Sequence, residues 1–391
     1  MNKMATINNI PIDPSQVTKE WLSTVLNKAK HGYAENIIVN EVIGHKNNGG
    51  VLSTVFKARI HVNGAEKQLF IKTMPGPDQS QRVFIDDYAL DAREVKTYST
   101  LFEQLEAFEK DFAVNKDSGI KSMVCKYFAG DCCQDKAYRG FYVVLEDISD
   151  NYQMPNLDKG LNNKQIISAL ENLAYFHSLT YCYGQKSKTD FCIDYPMAYH
   201  SFLEGKYSQE FIATLFKRAK DQLIERNEHK LVDILEMLSK DYVSKFKFAY
   251  GGQDGRFLTH GDLWCNNLMF NKDDRCILVD WQFTCASTPY LDIAAMAFMN
   301  QDPDTVDKNM DTFLKAYYEK FEETCKKFDV KGPWNDFEDF KQPAISQGFL
   351  SLFVWLLLSF SPCVYSLRIL DRFIYIFKKA LEQSPNFFET G

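Results

Sequence analysis

The hydrophobic period of the chain changes once, near residue 150. From Asn36 to Glu146 the apolar residues come in short blocks rich in Val, Ile, Phe and Tyr, at strand spacing. Asn36–Ile43 and Val51–His61 read as strands. Lys67–Thr73 follows across Asn63-Gly64, a dipeptide suited to the two positive φ angles of a tight hairpin. Three consecutive antiparallel strands are therefore expected, with two more at Ser122–Ala129 and Gly140–Glu146. Between these groups, Tyr88, Val95, Tyr98 and Leu101 mark a helix within Arg82–Phe108. From Asn163 onward the spacing is helical. Ile166, Ile167, Leu170, Leu173, Ala174 and His177 line one face of a helix that starts at an Asn cap and runs out at Gly184. Further helices are expected over Gln209–Arg226, Lys230–Phe248, Tyr290–Met299, Val306–Phe328, Phe337–Phe360 and Val364–Gln383. Ser149–Asn162, rich in Asp, Asn, Pro and Gly, is the one plausible linker, and no internal repeat is visible. The pattern predicts an α+β chain: a small β-rich lobe over 1–148, then a larger helical lobe over 149–391.

Composition narrows the class. With 391 residues, 45% of them hydrophobic and 25% charged, the chain can bury one large core or two modest ones. A net charge of -7 with no basic run argues against a general nucleic-acid binder, which needs clustered Lys and Arg. The ten cysteines form no Cys-x-x-Cys pair and lie near no group of histidines, so a reducing, cytoplasmic setting is expected rather than a disulfide framework or zinc site. The first residues lack the apolar core of a secretion signal. The longest apolar run, Gly348–Phe360, falls short of the roughly 20 residues that span a bilayer and reads as a buried helix.

Candidate chemistry concentrates in Thr259-His260-Gly261-Asp262-Leu263-Trp264-Cys265-Asn266-Asn267 and in Val279-Asp280-Trp281-Gln282, a stretch expected to place Asp262, Asn267 and Asp280 on two short apolar strands joined by the turn Asn271–Arg275. Phosphoryl transfer from a metal-nucleotide needs one carboxylate to orient and deprotonate a hydroxyl. It also needs a second carboxylate and an amide oxygen to hold Mg²⁺ against the phosphates. Asp262, Asp280 and Asn267 fit those roles in that order. A surface turn rich in Asp and Asn is the bland alternative, but three coordinated positions are much rarer than one.

His-Gly-Asp-x-x-x-x-Asn followed by Val-Asp-Trp-Gln resembles the protein-kinase-like small-molecule kinases: aminoglycoside phosphotransferases, choline and ethanolamine kinases, and most closely the ecdysteroid-kinase-like family, through His-Gly-Asp-Leu-Trp-x-Asn-Asn. The resemblance runs from about Glu41 to about Leu381. It implies a two-lobed protein-kinase-like fold, ATP and Mg²⁺ as cofactors, Asp262 as catalytic base, and Asn267 and Asp280 as metal ligands.

The upstream residues can be tested against the same mechanism. Lys72, on the third strand, is the candidate cation for the α and β phosphates, and Glu94, followed by Tyr98, is its candidate ion-pair partner. Ordinary surface charge is the alternative for both. Gly49, Gly50 and Ser53 can bring backbone amides and a hydroxyl to phosphate, although a hairpin turn uses the same residues. The family usually shows Gly-x-Asn before that serine, whereas Asn48-Gly49-Gly50 stands here. Tyr142–Ile148 resembles the strand and hinge that reach adenine, with the carbonyl of Glu146 and the amide of Ile148 on the base. His177 reads as a packed or hydrogen-bonded core histidine, and Asp292 as structural support for the catalytic loop at the start of the next helix.

Protein kinases place Arg between the His and Asp of this loop and follow the metal Asp with a long peptide-binding segment. Gly261 replaces that Arg, and only eleven residues separate Asp280 from Asp292, so no peptide platform fits. The 84 residues between His177 and Asp262 read as extra helices, an insertion that walls the acceptor pocket in related kinases. The expected acceptor is a small-molecule alcohol, an ecdysteroid or other steroid by resemblance. The abundant aromatics keep a choline- or ethanolamine-like acceptor open. A nucleotide-binding pseudokinase is the rival from another class.

Overall fold

The structure, a computed structural model, describes residues 10–28, 37–45, 53–73, 85, 88–115, 118–135, 138–196, 203–204, 206–250, 255–359 and 367–389. It divides into two compact units. One joins Met1–Gln153 to Leu278–Phe283, and the other joins Met154–Ile277 to Thr284–Gly391.

The first unit is built on five antiparallel strands: β1 (Ile37–His45), β2 (Thr54–Val62), β3 (Ala65–Thr73), β4 (Tyr127–Asp135) and β5 (Tyr138–Glu146), in the spatial order β1-β2-β3-β5-β4. Asn63 and Gly64 close the β2–β3 hairpin at φ 51° and 82°, the conformation the dipeptide predicted. Along β2, Phe56, Ala58, Ile60 and Val62 alternate inward and are buried. On that face they pack with Trp21, Leu22, Val25 and Leu26 from the helix Lys19–Lys28. The helix expected within Arg82–Phe108 forms as Leu90–Lys96, a π-helical turn Thr97–Leu101, and Phe102–Asp111. The fourth strand departs from expectation: it starts at Tyr127, not Ser122. Met123 and Val124 are buried and pair instead with Leu278, whose N–H donates to Met123 O at 3.0 Å and which bridges Val124 in parallel.

The second unit is mainly helical. Asn162 caps Asn163–Ser187 through a reciprocal box with Gln165. The helix runs one turn past Gly184 and ends at Lys188, which takes a left-handed conformation at φ 56°. The single helix expected over Lys230–Phe248 is two, His229–Leu238 and Tyr242–Ala249. Ser239 N–H closes back on Leu235 O and Asp241 N–H on Leu238 O, which ends the first helix. Tyr290–Met299 is buried at all ten positions and packs against Asn163–Ser187, Pro303–Lys327, Phe337–Leu358 and Leu367–Gln383. Gly348 makes the contact with Phe337–Leu358 possible, since a Cβ there would sit 3.1 Å from the Ala294 methyl.

Two short pairs frame the motif region: β6 (Leu258–Thr259) with β9 (Cys285–Ala286), and β7 (Leu268–Phe270) with β8 (Cys276–Leu278). The Asn271 side chain accepts from the N–H groups of Asp273 and Arg275 and fixes the β7–β8 turn. The candidate acids stand beside these strands rather than on them. Asp262 follows β6, Asn267 ends a 3₁₀ turn before β7, and Asp280 follows β8. Among the described residues no helix is long and apolar enough to cross a membrane.

Candidate active site

In the first unit the site is organised around Lys72. On β3 it stands opposite Val55 of β2 and Val143 of β5, and the residue is 5% exposed. Nζ lies 2.8 Å from Glu94 Oε2, 2.7 Å from Asp280 Oδ1 and 3.2 Å from Gln282 Oε1. The contacts to Asp280 and Gln282 are hydrogen bonds, and the contact to Glu94 is an ion pair. Burial works against the charge, but the carboxylates of Asp280 and Glu94 outweigh it and hold the Lys72 pKa above the ordinary lysine range. Burial pushes the Glu94 carboxyl up, the Lys72 ammonium pulls it back, and the Asp280 charge adds to the rise.

Asp280 adopts φ 66°, a left-handed conformation uncommon for a non-glycine residue. The adjoining 3₁₀ turn Trp281–Phe283 fixes it there. Trp281 is fully buried edge-on against Phe102 at 5.0 Å, and its indole N–H donates to Leu278 O at 3.2 Å. Gln282 received no role from sequence, although it stands within the motif two residues after Asp280. Ser53 is half-buried. Glu146 ends β5 with its side chain exposed, Ile148 is half-buried, and the Asp147 between them accepts a 3.0 Å ion pair from Lys57 of β2. Gly49 and Gly50 lie outside the described residues.

In the second unit one loop carries the remaining candidates. Asn267 Nδ2 donates to Asp262 O at 2.6 Å and to Asp262 Oδ2 at 3.0 Å. A backbone carbonyl can only accept, so the amide nitrogen must face Asp262, and the carboxamide oxygen is the end Asp262 does not use. Gly261 takes φ 79°, which its missing side chain permits as the loop turns into Asp262. Asp292, in the first turn of the buried helix, accepts from His260 N at 2.6 Å and Gly261 N at 3.0 Å. His177 Nε2 lies 3.3 Å from the same carboxylate, and its Nδ1 lies 2.8 Å from the Tyr317 hydroxyl. His177 is thus a hydrogen-bonded core residue and Asp292 a support of the loop. Tyr317 was not legible in sequence, because it comes from a helix 140 residues away.

The donor types suit a hard cation. Asp280 in the first unit offers a carboxylate and Asn267 in the second a carboxamide oxygen, each an oxygen donor of the type Mg²⁺ takes. Among the described residues no group of three or more His, Cys, Asp or Glu forms a dedicated metal cage.

An ammonium locked between a helix glutamate and an aspartate at positive φ, on an antiparallel sheet, together with a His-Gly-Asp loop tied to its own asparagine, defines a protein-kinase-like small-molecule kinase. The particular lineage follows from the sequence: the chain belongs to the ecdysteroid kinase-like family, whose model matches residues 49–330. It is an ATP-dependent phosphotransferase of small molecules. Solved structures with a similar course of chain include a spectinomycin phosphotransferase in complex with ADP and spectinomycin (14% identity, 96% of this chain and 99% of that one, TM-score 0.46). Two others are a choline kinase from Cryptosporidium parvum (14%, 88% and 89%, 0.45) and an ethanolamine kinase from Plasmodium vivax (14%, 96% and 90%, 0.42). No curated protein matches the chain.

Proposed function

We propose that the chain transfers the γ-phosphoryl group of ATP to a hydroxyl of an ecdysteroid or other steroid alcohol, with Asp262 as the base. The acceptor O–H gives its proton to the Asp262 carboxylate, the acceptor oxygen bonds to the γ phosphorus, and the bond from that phosphorus to the β-phosphate oxygen breaks to release ADP. Lys72, steadied by Glu94, neutralises the α and β phosphates. Asn267 and Asp280 are the ligands of Mg²⁺, which when bound offsets phosphate charge. Ser53 and the amides of Gly49 and Gly50 face phosphate, and the Glu146 carbonyl and Ile148 amide meet the adenine. Residues 1–148 serve as the nucleotide lobe and 149–391 supply the base and the acceptor pocket. Positioning and charge neutralisation account for most of the rate, because the transition state is loose.

The observation that supports this reading best is the buried Lys72, whose ammonium is hydrogen-bonded to Asp280 and Gln282 and ion-paired with Glu94. Phosphate can bind this ammonium only if one acceptor yields. Asp280, 30% exposed against 2% for Glu94, is the one that can turn away toward a metal. The test is ADP release in a coupled assay with ecdysteroid, choline, ethanolamine and aminoglycoside acceptors. Release stimulated by the steroid and abolished by Asp262→Asn is the expected result. Stimulation by choline or ethanolamine alone would move the chain to the other acceptor class. Tight ATP binding without transfer to any alcohol would make it a pseudokinase.

A further inference from the structure

The helix Tyr290–Met299 holds the catalytic loop at two points. Near its N-terminus Asp292 takes the N–H groups of His260 and Gly261. Just past its C-terminus, eight residues and about 12 Å along the axis, Asn300 takes the Cys265 thiol: Sγ donates to Asn300 Oδ1 at 2.8 Å, with both residues buried. Asn300 is itself fixed on its other sides. Its Nδ2 donates to Ala295 O at 2.8 Å and Met296 O at 3.3 Å, satisfying carbonyls at the end of the helix, and its own carbonyl accepts from Leu161 N at 2.8 Å.

The loop is therefore anchored at 260–261 and at 265, and Asp262 lies between the anchors. Asn267 lies two residues beyond the second anchor and reaches back to Asp262. The end of the helix Tyr290–Met299 does not depend on the thiol bond, since the Asn300 amide already satisfies carbonyls there. What the bond adds is a fixed path for Trp264–Asn267, the part of the loop that sets the Asn267 carboxamide relative to Asp262. Burial pushes the Cys265 thiol up to about 12, so it is a neutral donor and not a nucleophile.

We propose that Cys265 and Asn300 are positioning residues for phosphoryl transfer, acting through the geometry of Asp262 and Asn267. This inference rests on the functional reading of those two residues. Cys265→Ala removes the donor, and Cys265→Ser keeps one. Two measurements apply to each: kcat with an ecdysteroid acceptor, and Mn²⁺·ATP affinity by calorimetry, which needs no acceptor.

The alanine variant is expected to lose about tenfold in kcat or in Mn²⁺·ATP affinity, the usual effect of removing a group that orients a ligand, while KM for the acceptor stays within twofold. The serine variant is expected to recover most of that loss. A folded alanine variant with wild-type kcat and wild-type Mn²⁺·ATP affinity would overturn the proposal, as would equal losses in both variants, because packing alone would then explain them. If the wild-type protein binds Mn²⁺·ATP and transfers to no acceptor, the calorimetry still decides the role of Cys265 and only the acceptor reading falls. If it binds no Mn²⁺·ATP, both fall.

Discussion

Replacing Lys72 by Met tests the energetics of the buried ion pair apart from catalysis. Glu94 is 1% exposed, and in the variant its carboxylate faces no ammonium. Removing one partner of a buried pair costs about 3–5 kcal/mol when the other stays charged. Glu94 can instead take a proton, at about 1.4 kcal/mol for each pH unit above its ordinary value. That value is 4.5. Measured against the unfolded chain, that proton costs about 4 kcal/mol near pH 7.5 and about 1.5 kcal/mol near pH 5.5, and the wild type, in which burial also raises Glu94, bears part of it. The sign follows from the direction of the shift: without Lys72 the folded-state pKa of Glu94 rises further, so stability is retained at low pH and lost as pH rises. Urea denaturation of wild type, Lys72→Met and Lys72→Met/Glu94→Gln at the two pH values measures this. Lys72→Met should be closer to wild type at the lower pH, and the double variant should be more stable than Lys72→Met at the higher one. A stability difference independent of pH, or a double variant no better than the single, would refute the reasoning.

Other changes have equally definite outcomes. Gly160 sits at φ 72°, and a Cβ there would run into the Asn300 carbonyl, so Gly160→Ala should destabilise by about 3 kcal/mol in thermal or urea unfolding, the sum of backbone strain and overpacking. Asn162→Ala removes the cap of Asn163–Ser187 and should cost about 1 kcal/mol by the same measurement. The hydrogen bond from Arg368, opposed by slight burial, holds Asp302 below its ordinary 3.8. Its contribution to stability is present above that value and lost as pH falls through the depressed pKa, so melting temperatures between about pH 5 and 2 should fall more gently in Arg368→Gln than in wild type.

Local physics made much of the fold readable. Asn63-Gly64 demanded positive φ at two positions, Asn162 and Gln165 formed a box over three residues, and the apolar stripe of Tyr290–Met299 marked the helix at its observed ends. Expectation failed where distant contacts decided. Met123 and Val124 look like strand residues because they are apolar, yet their backbone pairs with Leu278, more than 150 residues away. The break at Ser239–Asp241 falls inside a continuous helical stripe that contains no Gly or Pro to announce it. In the candidate site, Asp262, Asn267 and Asp280 stood out because their side-chain types and spacing match those the proposed chemistry needs. Gln282, Asn300 and Tyr317 did not. Each is an ordinary polar residue whose role comes from partners 210, 35 and 140 positions away.

The central claim is that Asp262 acts as a base in phosphoryl transfer to a small alcohol rather than in nucleotide binding. Mass spectrometry of an ecdysteroid incubated with Mg²⁺ and ATP, run beside calorimetric titration of the nucleotide, tests it most directly. The account predicts a singly phosphorylated steroid with the wild-type protein and none with Asp262→Asn, while both bind the nucleotide with similar affinity. A phosphorylated product of undiminished yield from Asp262→Asn would contradict it.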